Sequence, residues 1–349
     1  MPHEVLTKAI DAVASRRDLS GEEAGAVLDT IMHGNASEVQ IAAFLIALRT
    51  KGETVEELAG LAGTMRALAA HVPTDRRDLL DTAGTGGGRS TFNVSTTAAL
   101  IAAGAGCAVA KHGNRSATSR SGSADVLEAL GARIDLGPEQ VAACIDEAGF
   151  GFMFAPAHHQ ATRFVVPVRH ELAVRTIFNL LGPLTNPAGA SSQLVGVSDP
   201  AFLEKMGGAL RILGVERALV VSSEDGLDEV SCSAPTNVVE VRDGELRAYV
   251  LTPQEAGIEP DGGELLGGGT PHENAERTRA ILQPGVKAPP GEALAAINAG
   301  AAIYAAGGAE TIAAGVQAAR EAISDGRALA ALDAYVAASR RHAPDGASA

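Results

Sequence analysis

In VQIAAFLIALRTKG, residues 39–52, apolar positions recur at helical spacing but nearly surround the axis. Such a helix is buried among others or covered by a second copy of the chain. Three further marks in the first 57 residues set helix starts. Ser20 with Glu23, Ser37 with Gln40 and Thr54 with Glu57 each place a hydroxyl three positions before Glu or Gln. That spacing lets two side chains satisfy the free N–H groups of a first turn. With a further helix over residues 3–16, and no strand pattern before His71, the chain opens as an all-helical unit.

After HVPTDRRD (71–78) the pattern changes. Short apolar runs at 79–84, 107–113, 149–155, 192–197 and 217–223 alternate with Ala-rich helical stretches, as in βα units, which predicts a mostly parallel sheet with flanking helices. Residues 236–253 alternate around Asp243-Gly244 and predict a hairpin. Helices fill most of 272–341. The stretch 165–187 interrupts this order with two helical pieces in series, which can pack back onto the N-terminal helices. The expected fold class is therefore α/β: a small all-helical domain, 1–72 joined by 165–187, and a larger α/β domain, 73–164 with 188–345, built on a mostly parallel central sheet.

Composition narrows the function. Of 349 residues 46% are hydrophobic, enough for a substantial core, and Asp plus Glu (42) exceed Lys plus Arg (28), giving a net charge of −14. With no Trp and 3% aromatic residues, that balance disfavours a nucleic-acid surface. Cys107, Cys144 and Cys232 form no CxxC pair and suggest neither a disulfide framework nor a zinc site. The N-terminus lacks the pattern of a signal peptide, and the longest apolar run, 98–110, is too short for a membrane span. A soluble, cytoplasmic protein is expected.

The candidate chemistry lies where strands meet helices. DTAGTGGGRSTFNVST (81–96) joins a strand ending at Ala83 to a helix starting near Ser95. Its glycines suit either a tight turn or a cradle whose N–H groups and helix N-terminus receive phosphate. KHGNRSATSRSGSAD (111–125) repeats the arrangement. Lys111, Arg115 and Arg120 bring charge there, while Asn114, Ser116, Thr118, Ser119, Ser121 and Ser123 bring short polar groups. Two such loops open on the same edge of a parallel sheet, where open α/β sheets bind ligands, and together they favour an anion site. Asp228 and Glu229 follow the strand 217–223 and reach the same edge. Taken alone they read as a solvated turn; beside a diphosphate they suit Mg²⁺. His158, His159, Arg163, Arg169 and His170 cluster further on, without the spacing of helical zinc ligands; an Arg bordering the cleft can hold a carboxylate bidentately.

Taken together, GTGG, TFNVST, KHGNRSATSRSGSADVLEALG, VRHELAVRTIFNLLGPLTNPA, GLDEVS and ENA resemble, in order and spacing, the anthranilate phosphoribosyltransferase family of tryptophan biosynthesis, over about residues 5–340. KHGN is shared with pyrimidine nucleoside phosphorylases of the same fold; RTIFNLLGPLTNP is the more specific segment. The resemblance implies Mg²⁺-dependent transfer of phosphoribosyl from phosphoribosyl diphosphate to anthranilate, in a homodimer joined through the helical domain. It places Gly84, Gly87, Gly88, Thr91, Asn93, Ser95, Thr96, Lys111, Asn114, Ser119 and Ser123 on phosphoribosyl diphosphate. Ser95, Asp228 and Glu229 then hold the metal. Gly84, Asn114 and Arg169 hold anthranilate, with His112, His159 and the Gly182-Pro183 turn along its path. No covalent nucleophile is implied; Lys111 and Mg²⁺ take up the leaving-group charge.

The chain departs from the family in three places. Gly88-Arg89 replaces the acid that usually follows GTGG, in a loop one residue shorter; Gln160 and Thr162 stand where Pro and a larger residue are usual; GGGTPHENA is one residue longer and lacks an acid. A nucleoside phosphorylase and a non-catalytic nucleic-acid-binding relative are the competing expectations. The first is opposed by Arg169 with LLGPLTNP and the second by the net charge.

Overall fold

The computed structural model describes residues 2–116, 120–259, 267–286 and 289–344. It opens with helices α1 (Glu4–Ala14), α2 (Gly21–Met32), α3 (Glu38–Lys51) and α4 (Val55–Ala67). The Ser20 and Thr54 boxes close reciprocally. The Ser37 box closes on one side only: Ser37 accepts from the Gln40 N–H, while the Gln40 side chain turns to the backbone of His3, accepting at 2.9 Å and donating at 3.1 Å. It thereby ties α3 to the start of α1.

A β/α succession follows: β1 (Leu79–Gly84), α5 (Val94–Gly104), β2 (Ala108–Gly113), α6 (Ser123–Ala129), α7 (Pro138–Ala148) and β3 (Phe150–Phe154). Then come the short α8 (Ala155–His158), α9 (Val166–Leu172) and α10 (Phe178–Leu184), before β4 (Ser192–Gly196), α11 (Leu203–Ile212) and β5 (Arg217–Ser223). The hairpin β6 (Thr236–Arg242) and β7 (Glu245–Leu251) turns at Asp243-Gly244, both at positive φ. Helices α12 (Pro271–Leu282), α13 (Glu292–Ala305), α14 (Ile312–Ser324) and α15 (Arg327–His342) complete the described chain. The expected strands are found, shortened at one or both ends in three cases.

One seven-stranded sheet runs in the order β3-β2-β1-β4-β5-β6-β7, parallel from β3 to β5 and antiparallel beyond. Successive side chains on a strand face opposite ways, so each face feeds a different core. Leu194, Leu219, Val221 and Val238 pack with α5, α7 and α13–α15. Val195, Val220, Val239 and Val241 pack instead with α1–α4, with α11 and with Val165, Val168, Ile177, Phe178 and Leu181 of the α9–α10 stretch.

The path of the chain places the site. From β1 it moves outward through β2 to β3, then returns to β4 on the other side of β1. The strand ends at β1 and β4 therefore diverge into separate connections, leaving a crevice at the carboxyl edge.

Candidate active site

At that crevice the last paired residues of β1 and β4 are both glycine, Gly84 opposite Gly196. The turn after β5 fills the space that side chains would take. A Cβ on Gly196 would lie 1.7 Å from the Asp228 carbonyl oxygen, and one on Gly84 would lie 3.1 Å from Asp228 Oδ2. The loop after β1 leans on the same turn: Arg89 N–H donates to Gly226 O at 2.7 Å, and a Cβ on Gly88 would lie 2.6 Å from Asp228 Oδ1. Gly86 (φ 61°) and Gly87 (φ 89°) adopt the left-handed region that favours glycine.

Lys111, near the end of β2, is fully buried and reaches across to β1. Its Nζ donates to Thr82 O, and lies 3.2 Å from Thr82 Oγ1 and 3.3 Å from Ser95 Oγ at the start of α5. Burial lowers its pKa to about 8, against the opposing attraction of Asp81. Asp81 is itself buried and held by His112 N–H at 3.1 Å and Asn186 Nδ2 at 2.8 Å; burial raises its pKa.

Asp228 and Glu229 meet the same loop, Asp228 at Gly84 and Gly88 and Glu229 at Thr91. Thr91 Oγ1 donates to Glu229 Oε1 at 3.3 Å, whereas Glu229 Oε2 is buried with no hydrogen-bond partner among the described residues. Burial raises the pKa of both carboxyls; the charge of Asp228 adds to the rise at Glu229, and Arg175 opposes it at Asp228. A divalent cation removes that penalty. Two adjacent carboxylates, one oxygen orphaned, suit Mg²⁺. No cluster of three His, Cys, Asp or Glu offers an alternative metal site among the described residues.

The second loop converges on the first through Asn93. Its Nδ2 donates to Ser121 O at 3.1 Å, and its Oδ1 accepts from Ser121 Oγ at 3.0 Å and from Asn274 Nδ2 at 2.8 Å. Thr96 Oγ1, in the first turn of α5, is buried without a partner among the described residues. Asn114 is exposed, its carbonyl accepting from Ser123 Oγ at 3.3 Å. The sequence reading of Arg115 as cradle charge is corrected. Its guanidinium is engaged by Asp125 at 2.8 Å and Glu128 at 2.5 Å and 2.9 Å, on α6. Thr118 and Ser119 lie outside the described residues.

Beside Lys111 the strand turns His112 toward the α10 end. The rings of His112 and His159 lie 5.0 Å apart; His112 Nδ1 meets Gly182 O at 3.2 Å, and His159 Nε2 meets Thr185 O at 3.1 Å. Burial brings their pKa values to about 3 and about 4, so both are neutral at pH 7, and His112 Nε2 has no partner among the described residues. The Pro183 carbonyl is fixed by Gln193 Nε2 at 2.9 Å. On α9, Arg169 lies with its guanidinium carbon 5.6 Å from the centre of the Phe178 ring. It is half-buried with no carboxylate partner among the described residues, and burial lowers its pKa. A cation so placed is open to an incoming carboxylate.

Three residues at the site escaped sequence reasoning. Asp81 carried a signal, a lone acid inside an apolar strand. Asn186, its partner from 105 positions away, and Arg175, whose Nη2 donates to Thr85 O at 3.1 Å, carried only their place in the RTIFNLLGPLTNP segment, which gives neither contact.

Models of two glycosyl transferase domains match the chain, the helical bundle domain over residues 7–69 and the a/b domain over residues 76–329. The class is thus a two-domain glycosyl transferase. Among similar proteins, an anthranilate phosphoribosyltransferase of Rubrobacter xylanophilus is 51% identical over 98% of this chain and 100% of its own length. The crystal structure of anthranilate phosphoribosyltransferase from Thermus thermophilus superposes with TM-score 0.89 at 47% identity, covering 95% of this chain and 99% of that one. The enzyme from Saccharomyces cerevisiae in complex with PRPP and Mg does so with TM-score 0.87 at 26% identity, covering 97% of this chain and 100% of that one. The chain belongs to the anthranilate phosphoribosyltransferase family. None of these three relatives is a nucleoside phosphorylase or a nucleic-acid-binding protein.

Proposed function

We propose that the chain transfers the phosphoribosyl group of 5-phosphoribosyl 1-diphosphate to the amine of anthranilate. The C1–oxygen bond breaks, diphosphate leaves, and a C1–nitrogen bond forms as the amine gives up a proton. The observation that carries the reading is the gathering of Lys111, Ser95, Asp228 and Glu229 around one glycine loop at the sheet's switch point.

Bond breaking leaves positive charge at C1 and negative charge on diphosphate, so the protein must receive an anion in a site shielded from water. Lys111 supplies a cation fixed before the substrate arrives, and the glycine loop, whose Gly86 N–H is taken up by the Asp228 carboxylate, offers its remaining backbone N–H groups to phosphate oxygens. Ser95, Asp228 and Glu229 are the residues to hold Mg²⁺, which when bound neutralises phosphate oxygens of the leaving group. Arg169 and Asn114 orient anthranilate through its carboxylate. Its aniline nitrogen is already neutral at pH 7, so no strong base is required. His112 and His159, neutral and fixed by the carbonyls of Gly182 and Thr185, shape the approach. Gly84, Gly87, Gly88, Thr91, Asn93, Thr96, Ser119 and Ser123 complete the phosphoribosyl diphosphate cradle.

The same reading divides the chain into a helical domain, 1–72 with 165–187, and an α/β domain, 73–164 with 188–345; the apolar cluster shared by α1–α4, Val165 and Leu181 supports it. A homodimer through the helical domain is supported by α3, where Val39 and Ile46, seven positions apart, are exposed. A cytoplasmic location accords with a biosynthetic enzyme. Among the described residues no helix is long and apolar enough to cross a membrane.

The test is a steady-state assay with both substrates across a Mg²⁺ series. Anthranilate fluorescence should be lost as phosphoribosylanthranilate forms, and unchanged fluorescence at millimolar substrates overturns the assignment.

A further inference from the structure

The glycine loop after β1 has few side chains of its own to hold it. Gly86 and Gly87 sit in left-handed conformations, and a chain of bare glycines loses more freedom on ordering than any other. Something outside the loop must brace it. The Asp228 carboxylate holds it at the Gly86 N–H, and the second brace, on the non-helical link between α9 and α10, is Arg175. Its Nη2 donates to Thr85 O at 3.1 Å, and its Nη1 lies 2.1 Å from where a Cβ on Gly87 would stand. Glycine is favoured at 87 by its φ, and the Arg175 guanidinium lies over the face that a side chain would take. The Arg175 carbonyl in turn accepts from Arg49 Nη1, in the last turn of α3, at 2.8 Å. One residue therefore touches the phosphate-facing loop on one side and the N-terminal helices on the other.

We infer that Arg175 is a positioning residue for phosphoribosyl diphosphate: it holds the glycine loop in its anion-receiving shape and couples that shape, through Arg49, to helix α3. The inference rests on the phosphoribosyl-transfer reading. Lysine cannot substitute, because one ammonium cannot both reach the Thr85 carbonyl and place a second nitrogen at Gly87. Because the loop grips the substrate before and during bond breaking, its loosening weakens both states alike, which appears in KM rather than kcat.

The experiment is steady-state kinetics on wild type, R175A, R175K, R49A and the R49A/R175A double variant, with phosphoribosyl diphosphate binding read separately by titration calorimetry. R175A should raise KM and Kd for phosphoribosyl diphosphate on the order of tenfold while kcat and the KM for anthranilate stay within about twofold. R175K should not restore them. R49A, an exposed side chain, should shift the same KM in the same direction by less, and the double variant should be no worse than R175A alone, since the two act through one connection. A KM for phosphoribosyl diphosphate in R175A within twofold of wild type overturns the inference, as do fully additive effects of R49A and R175A. Should R175A fail to fold, R49A decides: an unchanged KM and Kd overturn the coupling. A wild-type chain that forms no phosphoribosylanthranilate overturns the transfer reading itself, a different outcome from an active wild type with an unaffected R175A.

Discussion

Gly196 and Asp228 meet backbone to backbone: the side-chain position of the glycine is occupied by the carbonyl oxygen of the acid, 1.7 Å from where a Cβ would be. The carboxylate turn is therefore seated on the end of β4 and can be seated there only with glycine at 196. Gly196→Ala must push the turn outward. We expect it to weaken phosphoribosyl diphosphate binding by more than tenfold and to destabilise the fold by roughly 1–3 kcal/mol, the usual range for overpacking. Urea denaturation together with substrate titration checks both effects.

Lys111 is an ammonium held by Thr82 and Ser95 before any substrate arrives. Lys111→Met keeps the buried stem and deletes the charge. The expected result is a fall in kcat of about 10²–10³-fold, the scale for losing one prepositioned donor to a developing anion. An unchanged kcat would remove Lys111 from leaving-group stabilisation.

His159 ties acid stability to the acceptor side. Its pKa falls from the ordinary 6.5 to about 4 in the folded chain because burial disfavours the charged ring. Between those values the unfolded chain binds the proton and the folded chain does not, so the unfolded state carries more protons. Stability then rises with pH through this window: it is fully present above about 6.5 and is lost as pH falls toward 4, at up to roughly 1.4 kcal/mol for each pH unit crossed. His159→Gln, which keeps an N–H for Thr185 O, should flatten the pH dependence of urea unfolding between pH 6.5 and 5. An undiminished slope would show that the acid sensitivity lies elsewhere.

Glu229 Oε2 has no hydrogen-bond partner among the described residues, and Asp228 is its immediate neighbour. Chelation with EDTA should abolish turnover and added Mg²⁺ should restore it. Glu229→Gln keeps the volume and should weaken Mn²⁺ binding, followed by electron paramagnetic resonance, at least tenfold. Binding equal to wild type would place the metal at other ligands.

Val39, 78% exposed on α3, offers a test of assembly. Val39→Glu alters no packed position within one chain. If that face joins two copies, the variant should sediment as a monomer with unchanged circular dichroism.

The sequence made the local features readable and left the crossings hidden. Ser20 and Thr54 announced helix starts because a capping box needs only four consecutive residues. Ser37 shows the limit: its Gln40 found a better partner in His3, 37 positions away, which no local pattern records. Lys111, Asp228 and Glu229 were legible as a group because parallel neighbours send their loops to one edge. Arg115 looked equivalent to Lys111 in sequence, yet α6 presents Asp125 and Glu128 one turn apart and captures its guanidinium. Arg175 stood inside the RTIFNLLGPLTNP segment, but its contact with the glycine loop could not be read, since it exists only where the link from α9 to α10 crosses that loop.

The Asn93 side chain joins three segments: its own loop, the Ser121 segment and the first turn of α12. Those segments come from distant parts of the chain, but none can change its length or path without disturbing the other two. Selection for a different phosphorylated sugar would consequently have to rework all three at once, and tinkering with one would mostly yield loss.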